Sequence, residues 1–400
     1  MTTKKIIISG TGCALADYLY NGVSFNSPSF RKYLSVESGD GGLSPGKLVF
    51  TEELEKFSGI PYKEILNEIT GHRLPDAFNI GGPSLVSLIN ASQMLDPKQY
   101  TVNFFGMTGK DDTAKKIKSM VSSMPLGIDN YISSERLATP FTDVFSDSQY
   151  DNGHGERTFV NNIGAAWDYS PDFLNDSFFE ADIVCFGGTA LVPQIHDNLT
   201  SLLSKAKKNN CITLVNTVFD FRNEKKSPGS NWPLVEGNRN YDLIDILIMD
   251  CEEARKISGS KSIMEAADFF ASTGVSSFFI TNGANDLYAK SNGGLFKKTK
   301  IHKMPVSEKV KQNLQSSTGI KGDTTGCGDN FVGGIISSLA WQMKISRKNQ
   351  IDLIEAISWG VASGGFTCFI TGGTYHQEQP GDKYNKVAEL QKAYRKQIAE

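Results

Sequence analysis

The chain has 400 residues, room for about two or three average domains, although α/β folds often run longer as one unit. Apolar residues make up 39% and charged residues 21%, so a sizeable core is available. The net charge of −3 leaves no electrostatic footprint for nucleic acid or an anionic membrane, either of which needs a concentrated basic patch.

At the start, Lys4 and Lys5 precede the apolar run Ile6-Ile7-Ile8, and Ala14-Leu15-Ala16 imitates a signal-peptide cleavage site. Ser9-Gly10-Thr11-Gly12 interrupts that run and Asp17 follows at once, so a buried first strand entering a turn accounts for it better. No apolar run of about 18 residues is present, so no membrane span is expected. The six cysteines (Cys13, Cys185, Cys211, Cys251, Cys327 and Cys368) form no CxxC pair, and no His stands at metal-ligand spacing. They read as reduced thiols, and the expected location is the cytoplasm.

Further along, short apolar runs recur at Val102 to Phe105, Ile183 to Phe186, Ile212 to Val215, Ile244 to Met249 and Phe278 to Thr281. Stretches such as Asp197 to Lys208 and Ile263 to Ala271 lie between them, with apolar residues at helical spacing. Continuous apolar strands alternating with helices predict an α/β fold: a mostly parallel central sheet covered by helices on both faces. Loops are expected at Ser146 to Glu156, Asn223 to Asn240 and Lys290 to Gly294. Two stretches break the alternation. Gly22 to Leu74 has sparse strand signal and several turns. Leu137 to Val160 holds two alternating pieces, Phe141 to Phe145 and Arg157 to Val160, around a polar loop, the pattern of a β-ribbon or a plain surface hairpin.

Three glycine-rich segments imitate nucleotide-binding motifs. Gly10-Thr11-Gly12-Cys13-Ala14-Leu15 follows a strand but has Leu15 where a dinucleotide fingerprint needs its third glycine. Gly41-Gly42-Leu43-Ser44-Pro45-Gly46-Lys47-Leu48 lacks the P-loop hydroxyl, because Leu48 stands in its place, and no apolar strand precedes it. A glycine-rich surface turn explains it. The third, Asp323-Thr324-Thr325-Gly326-Cys327-Gly328-Asp329, runs into Phe331, Ile335, Ile336, Leu339 and Met343, one apolar helical face. Gly326 to Gly328 therefore sit at a helix N-terminus, where glycine backbone and helix dipole favour an anion. Asp329 falls in the first turn. From spacing alone, capping is the simpler role for it, and the dipole is expected to hold its carboxyl low, a weak base.

This third segment resembles the D-T-x-G-A-G-D signature of the ribokinase-like (PfkB) carbohydrate kinases, with Cys327 in the alanine place. The resemblance implies a three-layer ribokinase-like domain spanning 1–400, with a small β lid contributed by roughly 13–50 and 137–162. It implies Asp329 as the catalytic base and Gly326, Cys327 and Gly328 as the anion hole. Asp17 matches the family's sugar-binding Asp, and Asn79-Ile80-Gly81-Gly82-Pro83 its Gly-Gly turn against the substrate, although Val86 replaces the usual Asn. Phe105-Gly106-Met107-Thr108-Gly109-Lys110-Asp111 is similar to a structural segment of the family. Gly155-Glu156-Arg157-Thr158-Phe159 resembles the returning lid strand, and Arg157 there is either a substrate or phosphate contact or a solvated lid arginine. Thr281, Gly283 and Thr324 are assigned to the nucleotide. Asp250 and Glu253, in the place of N-x-x-E, are assigned to magnesium through water. One departure concerns Asn216 to Arg222, where sugar-kinase relatives carry D-x-N-x-R and Arg222 is displaced.

The implied reaction is transfer of the γ-phosphoryl group of ATP, with Mg2+, to a hydroxyl of a small carbohydrate. A nucleoside kinase of the adenosine type and a non-catalytic sugar-binding relative are the alternatives, and Phe141, Phe145 and Phe159 are the aromatic candidates for stacking a base. Potassium activation and a homodimer through the lid are implied by the resemblance alone.

Overall fold

The computed structural model describes residues 4–37, 39–316, 322, 324–345 and 350–399. Asp323, the first residue of the signature, lies outside them. The strands in chain order are β1 (Ile6–Gly12), β2 (Leu15–Asn21), β3 (Leu48–Phe50), β4 (Ala77–Gly81), β5 (Tyr100–Thr108), β6 (Gly127–Ser133), β7 (Phe141–Asp147) and β8 (Glu156–Asn162). They continue as β9 (Ile183–Gly187), β10 (Ile212–Asn216), β11 (Ile246–Asp250), β12 (Ser277–Thr281), β13 (Leu287–Ser291) and β14 (His302–Met304).

Nine of these strands form one sheet in the order β14-β13-β12-β11-β10-β9-β1-β5-β6. Every pairing from β6 to β12 is parallel, and the β12–β13 and β13–β14 pairings are antiparallel. The six apolar runs read from the sequence are β1, β5, β9, β10, β11 and β12. Both faces of the sheet are buried, because alternate residues of one strand enter different cores. Ile183 and Cys185 pack with the helices Pro83–Met94, Cys327–Ile345 and Leu353–Thr367, whereas Val184 and Phe186 pack with the helices Leu199–Lys208 and Ile263–Ser272. That two-sided burial makes a parallel strand read as an unbroken apolar run. No helix among the described residues is long and apolar enough to cross a membrane.

The edge strands escaped the sequence reading. β13 pairs Ser277 with Ser291 and Phe278 with Lys290, which draws Lys290 and Ser291, expected as loop, into the sheet. The expected loop from Asn223 likewise begins inside a helix, Phe221–Lys226, capped by Asp220 through the Asn223 N–H at 3.0 Å.

A second sheet has the order β3-β8-β7-β2-β4. Four of its strands fall within 13–50 and 137–162, and the fifth, β4, lies outside both stretches. The helices Thr51–Ser58 and Tyr62–Thr70, from the stretch with sparse strand signal, pack on one face of this sheet through Leu54, Tyr62, Ile65 and Ile69. They meet Tyr20, Phe145 and Val160 there, so this sheet carries a core of its own.

Candidate active site

The parallel strands end together at Gly12, Gly187, Asn216, Asp250 and Thr281, and open α/β sheets present their ligands at such carboxyl ends. At β1 the backbone is pressed against its neighbour. A Cβ on Gly12 would stand 1.8 Å from the Gly187 carbonyl oxygen, and Gly12 has φ +132. The glycines of the first imitation motif therefore serve close strand packing.

The glycine-rich turn Gly326-Cys327-Gly328 leads into a helix. The 19-residue helix Cys327–Ile345 begins at the second residue of Gly326-Cys327-Gly328, as its apolar face required. Gly326 has φ +73 and its missing Cβ would lie 2.4 Å from Gly373 Cα, so no other residue fits. A Cβ on Gly328 would meet nothing within 4 Å, which leaves open space before the turn. The Cys327 N–H meets the Thr324 carbonyl at 3.3 Å, beyond the usual range of a strong bond, and Thr324 itself is exposed.

Asp329 stands in the first turn of this helix, half-buried. Burial pushes its carboxyl up to about 6, the reverse of the direction the helix dipole alone implies. Desolvation of the charged form outweighs the dipole here, and a base near 6 is better matched to neutral pH than one held low. The Asp329 and Asp17 carboxylates both act on the buried Cys13 thiol, and the Asp329 charge is felt at Glu253, so these groups converge.

The second sheet faces this turn with one side. Arg157 Nη1 donates to Thr325 Oγ1 at 3.2 Å, and the side chain is only partly exposed. Asp17 pairs in register with Asn79 and with Thr142. A Cβ on Gly81 would stand 2.2 Å from Asp17 Oδ2, and one on Gly82, at φ +94, 2.6 Å from Ala14 Cα. Both glycines let the chain pass close to Asp17 and its strand. Strand alternation puts Phe141 and Phe145 on the opposite side from Asp17, Thr142 and Arg157. Phe145 packs with Phe30 and Tyr20, and Phe141 with Tyr62. Only Phe159, of the three aromatic candidates, shares the side of Arg157.

Asp250 and Glu253 form a capping box. Asp250 Oδ1 accepts from the Glu253 N–H at 2.8 Å, and Glu253 Oε2 accepts from the Asp250 N–H at 3.0 Å. Thr217 Oγ1 also donates to Glu253 Oε2, at 2.5 Å. Burial, then the Asp250 charge, pushes the Glu253 carboxyl well above its usual range. The pair thus has a structural duty as well as hard oxygen donors of the type magnesium takes. Thr281 ends β12, and Gly283 beyond it, at φ +56, has open space around it. Arg222, the displaced basic residue, is bound to Asp197 at 2.8 Å.

Several groups had no signal strong enough to single them out. Asn330 donates through Nδ2 to the carbonyls of Gly326 (2.9 Å) and Gly373 (2.7 Å), and its Oδ1 accepts from Lys383 Nζ at 2.9 Å. Lys383 is fully buried and also donates to Gln93 Oε1 at 3.2 Å, and burial lowers its ammonium to about 7. Gly372-Gly373 closes the turn from behind: a Cβ on Gly372 would strike Asn79, and Gly373 meets Val86. Among the described residues, Ser84 Oγ, Asn161 Oδ1 and Asn216 Oδ1 are buried polar atoms without a hydrogen-bond partner. Gly187 lies between Ser84 and Asn216, so two of them converge at the strand ends.

Residues 76–379 match the pfkB family carbohydrate kinase family. A ribokinase of Staphylococcus aureus (strain COL) is 25% identical over 224 residues, a match spanning 54% of this chain and 60% of that relative's length. Solved structures that share the fold include an adenosine kinase and a probable sugar kinase. The adenosine kinase from Schistosoma mansoni in complex with 2-fluoroadenosine superposes with a TM-score of 0.67 at 18% identity, covering 92% of this chain and 97% of the other. A probable sugar kinase protein from Rhizobium etli CFN 42 gives 0.68 at 13% identity, covering 97% and 100%.

Proposed function

The chain belongs to the pfkB family of carbohydrate kinases, and from that premise we propose that it transfers the γ-phosphoryl group of ATP to a hydroxyl of a small carbohydrate. Asp329 takes the hydroxyl proton as the bond to phosphorus forms. The N–H groups of Gly326, Cys327 and Gly328 receive the charge that develops on the transferring group. Thr281, Gly283 and Thr324 line the nucleotide phosphates. Asp250 and Glu253 would hold magnesium through water, and the metal would neutralise phosphate charge.

The observation that carries the carbohydrate reading is the polar side of the smaller sheet. Asp17, Asn79, Thr142, Arg157 and Asn161 share it, while Phe141 and Phe145 turn into that sheet's own core. A sugar offers hydroxyls in every direction and needs donors and acceptors more than stacking area. The unpartnered oxygens of Asn161, Asn216 and Ser84 fit the same demand. Closure of this sheet over the substrate, with Arg157 reaching the anion turn, would exclude water and suppress ATP hydrolysis. Phe159 supports a second reading, a nucleoside acceptor, because its ring shares the polar side and offers one stacking surface.

The test is ATP-dependent ADP release with magnesium, with and without potassium, across ketoses, aldoses, sugar acids and nucleosides. Turnover on a sugar that vanishes in Asp329→Ala is the expected result. Turnover on nucleosides alone replaces the carbohydrate reading. Ligand binding with no turnover on any acceptor identifies a non-catalytic relative and ends the kinase reading.

A further inference from the structure

Two thiols meet beside the anion turn. Cys327, the first residue of its helix, and Cys368, at the end of the helix Leu353–Thr367, bring their Sγ atoms within 3.5 Å although they lie 41 positions apart. Both are partly exposed, whereas Cys13, Cys185 and Cys211 are buried. A helix N-terminus favours an anionic sulfur at Cys327. The two helices are packed backbone to backbone: a Cβ on Gly334 would stand 2.4 Å from the Trp359 carbonyl oxygen, and one on Gly364 2.8 Å from that of Cys327.

We propose that Cys327 and Cys368 are a thiol-oxidation site, where a peroxide closes a reversible disulfide that disables the anion turn. The Cys327 thiolate attacks one peroxide oxygen, the O–O bond breaks, and a sulfenic acid and hydroxide form. The Cys368 sulfur then attacks the Cys327 sulfur, the S–O bond breaks, and hydroxide leaves as water with the Cys368 proton. In sum two thiols and one hydrogen peroxide give one disulfide and two waters. The two sulfurs lose the two electrons that the peroxide oxygens gain.

A disulfide holds its sulfurs at about 2.0 Å, so they must approach by roughly 1.5 Å. The helices cannot supply this, because their backbones already touch. The movement falls on the side-chain torsions and on the turn to which the proposed function assigns the anion. Misplacing a catalytic group by about 1 Å costs on the order of 10²-fold. Oxidation is therefore expected to lower turnover at least tenfold, and dithiothreitol to restore it.

The loss of turnover rests on the proposed phosphoryl transfer; the disulfide does not. The full chain is treated with hydrogen peroxide, alkylated and mapped by mass spectrometry, and nucleotide binding and turnover are followed in parallel. The expected map shows Cys327 joined to Cys368, with both readouts weakened and both recovered on reduction. Cys368→Ser and Cys368→Ala should keep their unoxidised behaviour and resist the oxidant. A map without this pair overturns the proposal, whatever the substrate panel shows. So does a Cys368 variant that peroxide inactivates as the parent is inactivated. A mapped pair in a protein that turns over no acceptor would leave the site standing and remove only the kinase reading.

Discussion

Replacing Asp329 by Asn separates the two roles this residue can play. Asn keeps the shape of Asp and an oxygen acceptor, so a residue with only a structural role in the first turn should tolerate the change with activity intact. A base should not, because an amide accepts no proton at neutral pH, and the expected loss is about 10²–10⁴-fold in kcat. Stability should move the other way. The Asp329 carboxyl is raised from 3.8 to about 6 in the folded protein. The native state therefore binds more protons than the unfolded chain between about pH 4 and 6, and stability falls as pH rises across that window. A shift of about two units at 1.36 kcal/mol each gives ~3 kcal/mol as the upper limit of the penalty at neutral pH, since the side chain keeps some solvent contact. The uncharged amide removes it. Asp329→Asn should gain about 1–3 kcal/mol in urea unfolding at pH 7.5 and nothing at pH 3.5. In the parent, kcat/KM should fall tenfold per unit below about pH 6. An Asn variant within tenfold of the parent's activity refutes the base assignment. One that loses activity and is less stable at every pH shows that the damage is structural.

Gly328→Ala should fold normally, because its Cβ enters open space, yet lose turnover by crowding the anion. Gly326→Ala, at φ +73 and 2.4 Å from Gly373 Cα, should lose activity and about 1–3 kcal/mol of stability together, read by thermal unfolding. Arg157→Ala removes the bond to Thr325 and should lower kcat/KM at least tenfold while the melting temperature stays within a degree or two. If Glu253 holds magnesium as proposed, it must do so ionised, and its carboxyl is raised by burial and by Asp250. Metal addition at pH 7 should therefore release a proton, detected by calorimetry in buffers of different ionisation enthalpy and absent in Glu253→Gln. Lys383, lowered from 10.5 to about 7, leaves the unfolded chain holding the extra proton between those values, so stability should rise with pH across them. Lys383→Met should flatten that rise in urea midpoints measured at pH 7.5 and 9.5.

The sequence alone determined the six parallel strands and the glycine-rich turn that opens the helix Cys327–Ile345, and each for a local reason. A strand buried on both faces must be apolar throughout, as Ile183 to Phe186 is, and the helix shows itself by one apolar face after its small opening residues. Short or polar edge strands such as β13 and β14 carry no such mark, because their residues owe their conformation to a neighbouring strand. The direction of the Asp329 shift, the turn of Phe141 and Phe145 into the smaller sheet's own core, the Lys383–Asn330 support beneath the turn and the meeting of Cys327 with Cys368 were decided only by tertiary structure. Each depends on how much of a side chain water still reaches, or on two segments far apart in the chain lying side by side. Local periodicity records neither, since the partner that fixes a side chain's environment lies outside any window in which its pattern repeats.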